Sequence, residues 1–346
     1  MTHSGAKKSI PTHHFVAHIE HLAEKNLFLA GIFLALILAM YAPGLGASLG
    51  KLKMTGFLVG LIFFGQGMEL DIKQLKHLRG FVKIIVWGVF VSFIAYPVAA
   101  WVTAKAFSMP KDIMAGFLIV CASPCTLAAG PAIAARARGD ALTAIILILT
   151  LNFVGLVAFP ENLKFWLGSV TRINDIDVIL KLIFYLFIPV IAGQGFRLKA
   201  PGLVKKGKPI LYYLPVICLS LIIYASCSQE SRLLWELRFS NIFLILLPSL
   251  CVHLFMFAMI FLSGRYVLKF YGPYNRAITI ICSEKPLTLS VAVWSMAFAK
   301  MHPLAIFPII IFYIVEIVTD SFWAVTLARS SSDAAGKEGY SAKLEH

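Results

Sequence analysis

Ten long apolar stretches constrain this chain more than any motif in it. A helix needs about 20 residues to cross the hydrocarbon core of a bilayer. The stretches run near residues 26–43, 54–69, 82–103, 113–135, 140–159, 177–195, 209–227, 241–263, 275–299 and 303–327. The loops between them are too short to hold a soluble domain. With 59% hydrophobic and 14% charged residues, a chain of 346 residues lacks the polar surface a water-soluble fold needs. The expected fold class is an all-α polytopic membrane protein with ten transmembrane helices.

The formal net charge is +14. In a soluble protein that balance suggests nucleic acid. Here the basic residues sit in short loops between apolar stretches, so they read as orientation signals, and no nucleic-acid partner is expected. With ten spans and the N-terminus inside, the inside segments hold 20 of the 31 Lys and Arg and the outside loops nine. Both termini are therefore expected in the cytoplasm, in a bacterial inner membrane with lipid as the surrounding partner. Residues 1–25 form a polar N-terminal segment. The run Leu27 to Ala42 has the length of a signal-peptide core, but the many spans behind it mark an uncleaved first helix. Residues 329–346 form a tail whose final Leu344-Glu345-His346 reads as a histidine-tag remnant. The six cysteines, Cys121, Cys125, Cys218, Cys227, Cys251 and Cys282, lie in or beside apolar runs without zinc-ligand spacing. They read as free thiols, with no resident metal or cofactor.

One interruption has an echo. "SPCTLA" (123–128) returns as "KPLTLS" (285–290), and at the same offset Ala141 opens span five where Pro303 opens span ten. Five spans followed by five is an odd-numbered repeat, so the second copy enters the membrane inverted. The copies are 26–160 and 175–328, within one domain over 26–328. Inverted repeats build many secondary transporters, with sites near the midplane where discontinuous helices meet. Broken helices expose backbone groups that cost several kcal/mol each in lipid, so they persist where protein, water or ligand covers them. "GQG" also occurs twice, at 65–67 and 193–195. Gly67 and Gly195 read as helix-ending glycines, with Gln66 and Gln194 as polar linings.

Several segments carry a family resemblance: "APGLGASLGKL" (42–52), "IFFGQGMELDIKQLK" (62–76), "SPCTLAAG" (123–130), "ARGDALTA" (137–144) with Asn152, "SEKPLTLS" (283–290) and "FYIVEIVTDSFWA" (312–324). In their order and spacing the chain resembles the bile acid:sodium symporter family over residues 26–328. It is nearest the branch holding the vertebrate orphan seventh member and its bacterial relatives. The resemblance implies panel helices 1, 2, 6 and 7, core helices 3–5 and 8–10, and a crossing of helices 4 and 9 at their breaks. It also implies alternating access, with a small organic anion bound beside the crossing. Where the family's fourth span offers side-chain oxygens to sodium, this chain has Gly130, Pro131 and Ala134. Glu284 falls at the family's sodium-binding glutamate, and Thr288 stands where the family has a glutamine. The coupling ion stays open between Na⁺, H⁺ and none.

Ionisable groups inside spans are expensive and mark function. Lys285, at the ninth-span break, is expected either to stand in for a bound cation and tie the two broken helices together or to form a permanent ion pair with Glu284 or Glu316. Glu316 and Asp320 share a face of span ten. Glu316 is the deeper one, a proton carrier or a partner of Lys285, and Asp320 is expected to reach the interface. His253 reads as a satisfied packing residue, and Lys181 as a snorkelling one. The expected substrate and ion site is Ser123, Thr126, Gly130, Asn152, Ser283, Glu284, Lys285, Thr288 and Glu316. Half-helix N-termini at the breaks would meet a carboxylate. The expected function is secondary transport of an organic anion by a monomer. Metalloid (arsenite) efflux through the thiols near the breaks is the first alternative. A non-transporting membrane enzyme or sensor is the second, although the one acidic cluster, Asp175 and Asp177 beside Asn174, falls on the outside.

Overall fold

The computed structural model describes residues 30–344 except 52–53, 70–77, 79, 128, 169–179, 181–182, 230 and 236–238. Every regular element among the described residues is helical. The first expected span is α1 (Ala30–Tyr41), which turns through 102° into α2 (Pro43–Lys51). Pro43 makes the corner, since it lacks an N–H and pushes the residue before it out of helical geometry. Then follow α3 (Met54–Glu69), α4 (Val82–Ala106), α5 (Lys111–Ala122), α6 (Ala129–Arg136) and α7 (Ala141–Gly168). The second half holds α8 (Ile188–Lys199), α9 (Lys208–Gln229), α10 (Phe239–Leu262), α11 (Gly272–Ser283), α12 (Leu287–Val293) and α13 (Ile306–Leu344).

Among the described residues, six helices are long and apolar enough to cross a membrane, or seven if the bent pair α1–α2 is one span. Of the ten expected spans, the second is a helix of only 16 residues and the fourth is divided into halves of 12 and 8. The sixth lies partly outside the described residues, as does Lys181. The ninth, Gly272–Phe298, is the least apolar of the six, and 94% of its apolar window is buried inside the protein. It is an interior element, which is why its polar residues escape lipid.

The helices pack in two groups. α2 and α3 pack with α8 and α9, while α4 to α7 and α10 to α13 pack around α5 and α11, and α12 touches α9 across the join. Within the first group α3 and α8 cross backbone on backbone. A Cβ on Gly67 would fall on the Val190 peptide, and one on Gly193 on the Phe64 carbonyl. This corrects the reading of the GQG glycines as helix ends. α3 runs on to Glu69 and α8 to Lys199, and Gly195 merely faces open space. Gln194 Nε2 donates to Gly67 O at 3.2 Å. Arg197 Nη1 then closes α3 by donating to Met68 O at 2.8 Å and Glu69 O at 3.0 Å, satisfying last-turn carbonyls.

Two prolines shift the helical ladder. Pro97 and Pro189 have no N–H, so Phe93 and Tyr185, four residues earlier, lose their donors. Each of those residues is the centre of a π turn, Val91–Ala95 and Ile183–Phe187. In the first turn the Tyr96 N–H reaches back to Val91 O. Ser92 O thereby loses the Tyr96 donor, and the next amide along belongs to Pro97.

The "ARGD" turn joins α6 to α7. Arg138 adopts φ 55°, uncommon for a residue with a side chain. Its carbonyl is clamped by Arg276 Nε and Nη2 at 3.1 and 2.9 Å. Asp140 N–H donates to Pro273 O at 3.0 Å. The Asp140 carboxylate then caps α7, accepting from Thr143 N at 2.7 Å and Thr143 Oγ1 at 2.6 Å. This turn thus docks the end of the first broken span onto the start of the second.

Candidate functional site

Both expected breaks are present. α5 ends at Ala122, and Ser123 is extended at φ −69°, ψ 155° before α6 begins at Ala129. α11 ends at Ser283, and Glu284 is extended at φ −77°, ψ 137° before α12 begins after Pro286. α11 packs on α6 and α12 on α5, so each half-helix meets a half of the other broken span.

An extended segment inside a protein strands backbone donors and acceptors. Here side chains from the other break and from neighbouring helices take them up. Lys285 Nζ donates to Ser123 O at 2.9 Å and reaches Ser92 O, the carbonyl orphaned by the π turn, at 3.5 Å. It also lies 4.2 Å from the Tyr96 ring centroid, an attractive place for a desolvated cation. The Lys285 N–H donates to Glu316 Oε2 at 2.9 Å. Asn152 Nδ2 donates to Ile148 O at 2.9 Å and to Cys125 O at 3.3 Å.

These bonds correct the expected ion pair. Among the described residues the Lys285 ammonium makes no ion pair with a carboxylate. Its link to Glu316 runs through the backbone instead. The extended break points the Lys285 N–H, rather than its side chain, at α13. Glu284 has a different setting. Its Oε2 lies 3.0 Å from where a Cβ on Gly130 would stand, so a glycine at the start of α6 lets a carboxylate approach that helix N-terminus. A helix N-terminus favours negative charge.

The hydroxyls expected at the site are mostly spent locally. Ser123 Oγ donates to Val120 O at 2.6 Å, and Ser283 Oγ to Ile280 O at 3.0 Å, with Asp320 Oδ2 at 3.4 Å. Thr288 Oγ1 accepts from Gln66 Nε2 at 3.3 Å. Thr126 stays partly exposed beside Gly130.

Asp320 is corrected too. It is fully buried rather than interfacial, with Oδ1 2.9 Å from His253 Nε2. The His253 Nδ1 lies 3.3 Å from Tyr96 Oη, which is itself 3.2 Å from Ser283 O. Tyr96 and Ser92 went unnoticed in the sequence. The only signal for them was Pro97, which marks a disturbed helical ladder.

Between the two helix groups lies a cleft open to solvent. The breaks contribute Pro124, Leu127 and Leu289, α3 contributes Phe63 and Gln66, and α7 contributes Asn152 and Phe153 to Pro160 on one face. Leu186, Phe187 and Val190 close the far wall. Only the amides of Gln66 and Asn152 give it polar character. Of the expected site residues, the structure brings Asn152 to the cleft wall and Thr288 one hydrogen bond behind it. Ser123, Ser283, Glu284, Lys285 and Glu316 form a separate buried core that does not line the cleft. Cys121, Cys125 and Cys282 are buried free thiols and do not line it either.

A polytopic helical protein with two interrupted spans and an apolar cleft against the breaks has the build of a membrane transporter. The chain belongs to the SBF-like CPA transporter family, whose description matches residues 26–329. It is 23% identical to sodium/bile acid cotransporter 7-B of Xenopus laevis over 314 residues, covering 88% of this chain and 92% of that protein. It is 23% identical to sodium/bile acid cotransporter 7 of Mus musculus over 316 residues, covering 88% and 93%. An uncharacterized protein of Pseudomonas aeruginosa is 24% identical over 320 residues, covering 89% and 94%. The protein is an integral, multi-pass membrane protein of transporter type.

Proposed function

We propose that this protein is a secondary transporter of an organic anion with a large apolar body, working by alternating access in a bacterial inner membrane with both termini cytoplasmic. The observation that carries the reading is Lys285, whose ammonium bridges the two breaks through Ser123 O at 2.9 Å. A charged group so placed does by covalent attachment what a bound cation does in a carrier that recruits one: it satisfies backbone carbonyls that the breaks strand. Sodium is then not required at this position, and the moving ion, if there is one, is a proton.

Ten spans in two inverted repeats make the best account of the packing. The turn before α7 docks by Asp140 N–H on Pro273, at the start of α11. At the repeat-related place, His302 before α13 docks by Nδ1 on Asp112 Oδ1 at 2.8 Å, at the start of α5. A docking contact at repeat-related places, backbone to backbone in one copy and side chain to side chain in the other, is what inversion of one ancestral unit would leave. The cleft supports the substrate class: its walls suit an apolar body and its two amides a polar group. The relatives' names point to bile acids as the first probe. No specific observation favours arsenite efflux, since the thiols near the breaks are buried and do not line the cleft.

Uptake of radiolabelled taurocholate into proteoliposomes, with and without a sodium gradient, tests the reading. Saturable uptake without sodium is expected, reduced at least about tenfold in Lys285→Ala and partly restored in Lys285→Arg. Wild-type turnover with unchanged pH dependence in Lys285→Ala would sink the role given to Lys285.

A further inference from the structure

The buried core holds a second constellation that the cleft and the Lys285 bridge do not use. We propose that His253 and Asp320 form a buried proton-binding site, and that Tyr96 passes its protonation state to the broken ninth span. Any link of this site to transport rests on the proposed function, while the proton site stands on its own geometry.

His253 has 0% exposure on α10, a helix that itself carries no Asp, Glu, Lys or Arg. The elements packed on α10 present these groups to it. α13 supplies Asp320 at 2.9 Å, with Glu316 one turn away. α4 supplies Tyr96 at 3.3 Å. α11 supplies Ser283, with Glu284 and Lys285 following in the break. The π turn after α10 carries only the exposed Arg265. Phe257 and Phe312 rings pack against the imidazole at 6.5 and 6.0 Å between centroids.

Donor counting then gives two states. With one proton on the ring and Asp320 ionised, Nε2–H donates to Asp320. The bare Nδ1 takes the Tyr96 hydroxyl proton, and Ser283 O loses it. With a second proton, Nδ1–H donates to Tyr96 Oη, and the hydroxyl turns to Ser283 O at 3.2 Å. One proton cannot serve both acceptors. Ser283 is the last residue of α11, so the switch acts on the carbonyl where the span breaks. The Tyr96 ring is also the face under the Lys285 ammonium, 4.2 Å away. Proton uptake converts a buried net negative charge into a neutral imidazolium–carboxylate pair, which is the sign a low-dielectric core favours. The balance is simple: one proton from water binds Nδ1, and no bond other than hydrogen bonds changes.

The test uses the full chain in nanodiscs with ¹⁵N-labelled histidine. The His253 ring signals are assigned by their disappearance in H253Q, or in H253N if the first variant does not fold. The ¹⁵N signals report whether Nδ1 is bare or protonated, and both forms are expected across the sampled pH range. In D320N the Nε2 signal is expected to change, because the ring loses its carboxylate partner at 2.9 Å. Y96F changes the Nδ1 signal and leaves Nε2 on Asp320. A ring whose Nδ1 stays in one state throughout, or an Nε2 signal unmoved in D320N, overturns the proposal. Taurocholate uptake is measured alongside and is expected to depend on pH in the wild type and not in H253Q. Equal pH dependence in both overturns the coupling. Absence of any uptake with the titration intact overturns the transporter reading and leaves the proton site standing.

Discussion

Replacing Gly67 by alanine, beside the same change at Gly195, separates the two GQG motifs by their physics. A methyl on Gly67 would lie 2.9 Å from the Val190 Cα and closer still to its carbonyl. Carbon atoms repel well before that distance, and both partners are backbone, so α3 and α8 must part by roughly an ångström at their crossing. Overpacking of this kind costs about 1–3 kcal/mol. The gain from removing a helical glycine is about 1 kcal/mol. At Gly195 nothing lies within 4 Å of the new methyl, so only the gain remains. The two variants should therefore differ by about 1–3 kcal/mol in stability, with Gly67→Ala the weaker. At roughly 2–4 °C per kcal/mol for a chain of this size, the melting points should separate by several degrees. Thermal unfolding of the purified protein in one detergent reads the difference directly. The same crossing carries Phe63, Gln66 and Val190 of the cleft wall, so Gly67→Ala should also weaken taurocholate uptake. Equal melting points for the two variants would refute the close crossing and restore the reading of both glycines as helix ends.

Asp140→Ala removes the cap of α7 and should lower stability by about 1–2 kcal/mol, seen as a lower melting point. Asp140→Asn should keep most of it. Arg197→Ala strips two donors from the end of α3 and should cost about 1–3 kcal/mol. Arg197→Lys should recover only part, because one ammonium replaces a planar fork. Gln66→Leu removes one of the two amides facing the cleft and the donor to Thr288. It should raise the KM for taurocholate about three- to tenfold with little change in melting point, and a wild-type KM would take Gln66 out of the binding wall.

Both breaks were legible in the sequence because their cause is written locally. Pro124 and Pro286, with small residues around them, interrupt apolar runs that would otherwise continue as helix. The corner after α1 was equally local, at Pro43, but a count of apolar residues has no direction in it, so 26–43 read as one straight span. The ARGD segment was visible as a motif without its purpose, since its partners Pro273 and Arg276 lie far along the chain. His253 read as satisfied, which it is, yet its partner Asp320 read as interfacial. A carboxylate near a span's end counts as exposed until the helices around it are known.

By itself the sequence determined that the chain is helical, that it belongs in a membrane, and where its helices must break. Those properties follow from hydrophobicity and from prolines without an N–H, and both act within a few residues. Only the tertiary structure decided which group answers each stranded backbone atom. Lys285 meets the carbonyl of Ser123, 162 residues away, and His253 meets Asp320 across 67. Such pairings depend on where two helices cross, and hydrophobic burial fixes that crossing without regard to which polar side chain is carried there. That is why "SEKPLTLS" announced a charged break, while the packing alone turned its lysine away from the carboxylates and onto the backbone of the other half.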